Sequence, residues 1–313
     1  MHLKKIDIGG VKTCNNVFLA PLAGYTNAVF RAMCLRLGAG LTFTEMVSAK
    51  GLCYNSENTR ELLQLTPEYG AINAVQIFGN DPEYIERAAC GEYLAPFDLI
   101  DINMGCPVPK IYKNGEGSAL LSDIPLAQKI VKAAKKSGKP VTVKFRTGID
   151  GGHIVTRDFA VAMEDAGADM ITIHGRTRDK MYSGEVNFAE IAKAKSAVKI
   201  PVIANGGVFC GEDADRLIDK TGADGVMLAR GAMYNPFVFA EITGKQVADK
   251  KAEIVRQLRE TFEHYDNRFA TVYMRKMIAF YIKGQVGAAA LRVKLMGANT
   301  KEAIEEILDT VNF

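Results

Sequence analysis

The sequence predicts an α/β protein, a (β/α)8 TIM barrel followed by an all-helical C-terminal domain. Three observations lead there. Eight short apolar runs recur at 17–20, 41–44, 74–77, 99–102, 141–145, 170–173, 202–204 and 225–228. Amphipathic segments with helical spacing lie between them, as at 82–94, 125–137, 157–166, 188–197 and 212–220. Strict strand-then-helix alternation implies a parallel sheet covered by helices, and eight repeats match a closed barrel. The pattern then stops near residue 242, and the chain continues to 313 with no strand-like alternation. The domains expected are therefore 1–242 and 243–313. A doubly wound open sheet would need a Gly-rich phosphate turn after the first strand, and residues 20–26 (APLAGYT) hold no G-x-G-x-x-G.

Each predicted strand ends in polar residues or glycines, on the edge where barrel enzymes place their chemistry. The first run leads into Pro21-Leu22-Ala23-Gly24, and the third carries Gln76 before Phe78-Gly79. The fourth ends in Asn103 and a Gly/Pro-framed loop with Cys106, whose thiol can donate a proton or attack a substrate. A lone cysteine is more often a buried structural residue. Here the other strand ends argue against that reading. Lys144 and Arg146 close the fifth run, and His174-Gly175-Arg176 the sixth. The seventh and eighth end in Asn205-Gly206-Gly207 and Ala229-Arg230-Gly231, the loops that build a phosphate site in such barrels. Glycines there let backbone N–H groups approach an anion, and Arg230 adds a charged donor. Lys144 in the barrel mouth would be costly without an anionic partner.

Composition excludes several classes. Hydrophobic residues make up 48% and charged residues 24%, ordinary for a globular protein. No apolar run is long enough to span a bilayer, and residues 1–7 lack an apolar signal core, so a cytoplasmic protein without membrane contact is expected. The six cysteines have neither metal-type nor disulfide-type spacing, and the four histidines are dispersed, so no metal site is expected. A net charge of +3 is too small to imply nucleic acid, but its distribution is uneven. From Arg268 to Lys294 the chain carries Arg268, Arg275, Lys276, Lys283, Arg292 and Lys294 and no acid. On one helix the first four would share an arc of about 100°, with Met274, Met277, Ile278 and Tyr281 packing opposite. Such a stripe suits a surface that tracks phosphates.

The motifs APLAGYT (20–26), VQIFG (75–79), NMGCP (103–107), KNGEGSALL (113–121), VKFR (143–146), IHGRT (173–177) and IANGG (203–207) resemble those of the tRNA-dihydrouridine synthase family. The similarity is greatest to its bacterial B-type members and extends into the tail, through MRKM (274–277) and YIKG (281–284). It implies an FMN-binding barrel with a helical RNA-binding domain. Pro21, Leu22 and Ala23 would line the flavin, with Gln76, Lys144 and His174 at its ring or ribityl chain. Asn205, Gly206, Gly207, Ala229 and Arg230 would hold its phosphate. Cys106 would be the catalytic acid and Asn103 would position the uracil. Lys113, Arg176, Arg275 and Lys276 would contact RNA. NADPH or NADH would supply electrons, tRNA would be the partner, and a monomer is the default. Two positions depart from the family pattern. Gly207 stands where many relatives have an acid, and Glu116 where a small residue is usual.

The implied reaction is reduction of a uridine ring double bond, with hydride from the flavin and a proton from Cys106. The target base would have to turn out of its stack. A dihydroorotate-dehydrogenase-like enzyme acting on a small pyrimidine is the nearest competitor, and the acid-free basic tail argues against it. Ribosomal RNA is the competing substrate.

Overall fold

The computed structural model describes residues 2–311, so the outermost residues of both expected domains lie outside the description. All eight predicted strands form and close into one parallel barrel: β1 (Val17–Leu19), β2 (Leu41–Ser48), β3 (Asn73–Phe78), β4 (Leu99–Met104), β5 (Val141–Arg146), β6 (Met170–His174), β7 (Val202–Asn205) and β8 (Gly225–Leu228). β8 pairs with β1 to complete the ring. Outside lie α1 (Ala28–Arg36), α2 (Pro82–Ala89), α3 (Ile124–Lys135), α4 (Thr156–Asp165), α5 (Phe188–Ala197) and α6 (Gly211–Thr221). Their starts are chemically marked. Asn27, Asp81, Asp123 and Asn187 each cap a helix through a side-chain oxygen, and Pro82 fixes the first turn of α2.

Strand alternation decides what the barrel holds. Along β4, Ile100, Ile102 and Met104 pack outward against the helices, whereas Leu99 joins the inner core. Asp101 and Asn103 share the parity of Leu99 and so point inward. The same parity sends Gln76, Lys144, His174 and Asn205 to the inside of the mouth, above an apolar floor containing Phe18, Leu41, Phe43, Met170 and Ile203.

A hairpin that the apolar runs do not announce closes the opposite end. Asp7–Ile8 pairs antiparallel with Val11–Lys12. Gly9 and Gly10 turn between them at φ 57° and 97°, as a two-residue hairpin requires. Ile6 and Ile8 thereby enter the inner core as a plug.

Beyond the barrel, the short helix Val238–Thr243 stops at Gly244 in the left-handed region. Four helices follow: α7 (Lys250–His264), α8 (Asn267–Tyr281), α9 (Ala288–Gly297) and α10 (Lys301–Asp309). Ile254, Leu258, Met274 and Ile278 belong to the same buried cluster as the barrel's outer core. Arg36 of α1 reaches Glu253 and Glu260 of α7, and Tyr273 donates to the Tyr25 carbonyl at 2.6 Å. The acid-free basic run departs from its single-helix expectation. Arg268, Arg275 and Lys276 ride on α8, but Ile282 caps that helix, so Lys283 lies past its end while Arg292 and Lys294 sit on α9.

Candidate functional site

The barrel mouth opens into a cavity of about 360 Å³, within the range of small-molecule sites. It gathers Pro21, Leu22 and Ala23 from the β1 loop, Gln76 from β3, and Asn103 and Cys106 from β4. Lys144, His174 and Arg176 line it from β5 and β6. Asn205, Gly206, Gly207, Ala229 and Arg230 complete the ring after β7 and β8. Lys113, Arg275 and Lys276 lie elsewhere. Lys113 is exposed at the end of the short helix Pro109–Lys113, on the rim.

Charge in the cavity is one-sided. Lys144, Arg146, Arg176 and Arg230 line it, and no carboxylate does among its described residues. Burial, then the charge of Arg146, pulls Lys144 down to about 8. Burial likewise lowers Arg146 to about 10 and lowers Arg176, the latter with help from Arg230. His174 is held well below its usual value by burial and by these four cations, so its ring is neutral. Its Nε2 lies 3.4 Å from an Arg176 nitrogen that can only donate, which leaves the imidazole proton on Nδ1. Cations desolvated against one another favour an anionic occupant.

The backbone after β7 is shaped for close approach. Gly206 and Gly207 stand at φ 119° and 74°, and a Cβ on Gly206 would meet the His174 ring at 3.0 Å. Asn205 is locked, its Nδ2 donating to the Met227 carbonyl at 2.7 Å and its Oδ1 accepting from Lys144 Nζ at 3.1 Å. Arg230 donates to the Tyr182 carbonyl at 3.1 Å and lies 5.0 Å from that ring's centre.

The Cys106 loop is pinned from three sides. Asn103 Oδ1 accepts from the N–H groups of Gly105 and Cys106 at 3.1 and 2.9 Å. Ser118 Oγ donates to the Cys106 carbonyl at 2.8 Å, and Arg146 Nε donates to the Gly105 carbonyl at 2.9 Å. Burial raises the thiol above its usual value, partly offset by the Val108 N–H and by Arg146 and Lys144. The sulfur is therefore protonated at neutral pH and suited to giving up a proton. Glu116, beside this loop, is raised by burial and feels Lys50.

Sequence reasoning left Arg146, Ser118 and Asp101 off the candidate site. Arg146 was legible as a strand-end cation, but its grip on three carbonyls was not. Ser118 follows Gly117, whose φ of 60° folds the chain back onto Cys106.

Two expected RNA contacts have structural partners. Arg275 caps the end of α9, its guanidinium donating to the Met296 carbonyl at 2.7 Å and to the Ala298 carbonyl and Asn299 Oδ1 at 3.3 Å. Arg275→Ala should lower unfolding stability by about 1–2 kcal/mol, read by urea denaturation, whatever it does to RNA affinity. Lys276 Nζ donates to the Gly24 carbonyl at 2.5 Å and sits 4.1 Å above the Tyr25 ring, joining α8 to the β1 loop.

Comparison with known proteins follows the same lines. The family model described as "Dihydrouridine synthase (Dus)" matches residues 18–312. "Probable tRNA-dihydrouridine synthase 1" of Synechocystis sp. is 38% identical, covering 98% of this chain and 89% of its own length. "tRNA-dihydrouridine synthase B" of Pasteurella multocida is 36% identical over 88% of this chain and 86% of its own. In fold alone, the structure is similar to an old yellow enzyme homologue from Zymomonas mobilis, with a TM-score of 0.56 at 15% identity, covering 79% of this chain and 94% of that one. A motif-bearing barrel mouth, a thiol loop and a helical tail on the same chain thus converge with the family match, and the chain belongs to the dihydrouridine synthase family.

Proposed function

We propose that this protein is an FMN-dependent tRNA-dihydrouridine synthase, reducing the C5=C6 bond of specific uridines in tRNA with electrons from NADPH. Family membership supports the reaction and the substrate class. The observation that carries the reading is a cavity with four cations and no lining acid, beside a protonated thiol. That donor set fits FMN, whose phosphate is anionic and whose ring is rich in acceptors. The Gly206-Gly207 backbone and Arg230 would hold the phosphate, and Lys144 and Gln76 would meet the ring. When bound, the flavin supplies the hydride to one ring carbon of the uracil. Cys106 Sγ gives its proton to the neighbouring carbon, Asn103 orients the base, and Arg146 keeps the thiol loop in place. The ring double bond thereby gains one hydride and one proton.

The helical region 243–313 serves as an RNA-binding domain on the barrel domain 1–242. Arg268, Lys283 and Lys294, all exposed, supply phosphate contacts, with Arg176 and Lys113 nearer the base. No helix among the described residues is long and apolar enough to cross a membrane, and the described cysteines are all unpaired. The free thiols fit the reducing cytoplasm as the place of action, and a monomer is the assembly we propose.

Incubation of purified protein with NADPH and unmodified tRNA, followed by nucleoside mass spectrometry, tests the reading. Dihydrouridine should accumulate in tRNA and not in ribosomal RNA. A yellow protein that oxidises NADPH without forming dihydrouridine in tRNA defeats the substrate assignment.

FMN affinity should depend on pH. Anion binding favours protonated Lys144, which sits at about 8 without its ligand. Affinity should therefore be greatest below pH 8 and fall above it, by up to about tenfold per pH unit. Lys144→Met should bind more weakly and lose that dependence, as flavin fluorescence titration would report.

A further inference from the structure

Beneath Cys106 a row of amides is polarised in one direction. Asp101 is 1% exposed, one inward position below Asn103 on β4. Its Oδ1 accepts from Thr142 Oγ1 at 2.5 Å and its Oδ2 from Gln76 Nε2 at 2.6 Å. Burial pushes this carboxyl up to about 6, against the hydrogen bonds of Gln76 and Thr142 and the charge of Lys144, so it is ionised at neutral pH. An ionised carboxylate accepts and cannot donate. Gln76 must therefore turn Nε2 toward Asp101, which leaves Oε1 to accept from Asn103 Nδ2 at 2.8 Å. Asn103 in turn points Oδ1 at the loop, where it takes the N–H groups of Gly105 and Cys106.

Each side-chain acceptor in the row has at least one donor. Gln76 and Asn103 each keep one N–H, the latter 3.7 Å from Met46 Sδ, a weak acceptor that a carbonyl oxygen would displace. We infer that Asp101 is a positioning residue that fixes the direction of both amides, so that Asn103 presents an N–H beside Cys106 and reads a carbonyl edge of the base. This inference rests on the uridine-reduction reading. It also gives a reason for selecting against cytosine, whose amino group replaces one carbonyl with a donor.

The test takes flavin-loaded enzyme reduced with NADPH and mixes it with unmodified tRNA or with ferricyanide, an oxidant that needs no base pocket. Asp101→Leu removes the acceptor that holds Gln76 Nε2, so neither amide keeps a fixed direction. Reoxidation by tRNA should fall about 10²-fold through misplacement of the base and thiol, with reoxidation by ferricyanide changed far less. Thr142→Ser keeps the hydroxyl donor to the same carboxylate, and should spare both rates. The exchange pair Asp101→Asn with Gln76→Glu keeps net charge and again offers Asn103 an acceptor. It should regain about tenfold of the lost tRNA rate, taken relative to its own ferricyanide rate.

A second readout needs no flavin. Alkylation of Cys106 by iodoacetamide, followed on its peptide by mass spectrometry, should quicken in Asp101→Leu as Asn103 releases the loop. Equal loss of both reoxidation rates, an equal loss in Thr142→Ser, or unchanged alkylation overturns the inference. Should Asp101→Leu alone not fold, a folded, tRNA-active exchange pair supports the row, and an exchange pair without tRNA-dependent reoxidation overturns it. Wild-type enzyme that tRNA cannot reoxidise counts against the uridine reading instead, and the alkylation comparison still judges the row.

Discussion

Replacing Cys106 with alanine is expected to cut dihydrouridine formation about 10²–10⁴-fold while leaving flavin binding and its reduction by NADPH intact. The asymmetry follows from the site. The thiol meets the cavity from the β4 loop, whereas the cations and glycines proposed to hold FMN come from β5 to β8. Its neighbours are poor substitutes as acids. His174 is neutral, with Nε2 facing an Arg176 donor, and Lys144 is tied to Asn205. The pH profile supplies a second check. An acid must be protonated to act, and burial raises the Cys106 thiol. The alkaline fall in the tRNA-dependent rate should therefore come above the ordinary thiol range, and it should vanish from whatever residual rate Cys106→Ala retains. A mutant that forms dihydrouridine at the wild-type rate would place the proton donor elsewhere.

Arg146→Leu should have the largest effect on stability. Arg146 is 2% exposed, and its guanidinium donates to the carbonyls of Gly105, Thr177 and Met181 at 2.9, 3.1 and 2.7 Å. Truncation leaves those acceptors without a donor in partly buried loops, a loss of roughly 3 kcal/mol, less whatever water recovers. One opposing effect is expected. Arg146 helps depress Lys144, so its removal should let the Lys144 ammonium rise toward its usual value. Urea denaturation reads the first effect, and the pH dependence of FMN affinity, shifted upward, reads the second. Arg146→Lys keeps a charge but not the fork that spans three carbonyls, and should recover only part of the stability. If Arg146→Leu unfolds at wild-type urea concentrations, the guanidinium is not what holds these loops.

Much of the site was legible because polar residues ending short apolar runs are a local feature. Once 99–102 reads as a strand, Asn103 falls at its end, and the same reading places Gln76, Lys144, His174 and Asn205 at theirs, whereas the inward turn of Asp101 and Asn103 follows from Leu99 joining the barrel's inner core. The tail was read less well. Spacing placed Arg268, Arg275, Lys276 and Lys283 on one helix, yet Ile282 ends it, and Arg275 and Lys276 are engaged by carbonyls of α9 and of the β1 loop. Periodicity gives the angle of a side chain about its axis, but it does not say which acceptor waits there.

Local pattern is enough for the eight-stranded order, the polar strand ends and the loop that carries Cys106, since short apolar runs and Gly/Pro punctuation are written in consecutive residues. How the groups are wired emerges only in the folded chain. Asp101 polarises Gln76 and Asn103 across two neighbouring strands, Arg146 ties the thiol loop to residues 177 and 181, and the 7–12 hairpin plugs the barrel floor. A hydrogen bond depends on direction as well as position. Which end of an amide faces which neighbour is fixed by partners distant in sequence, and no local pattern records it.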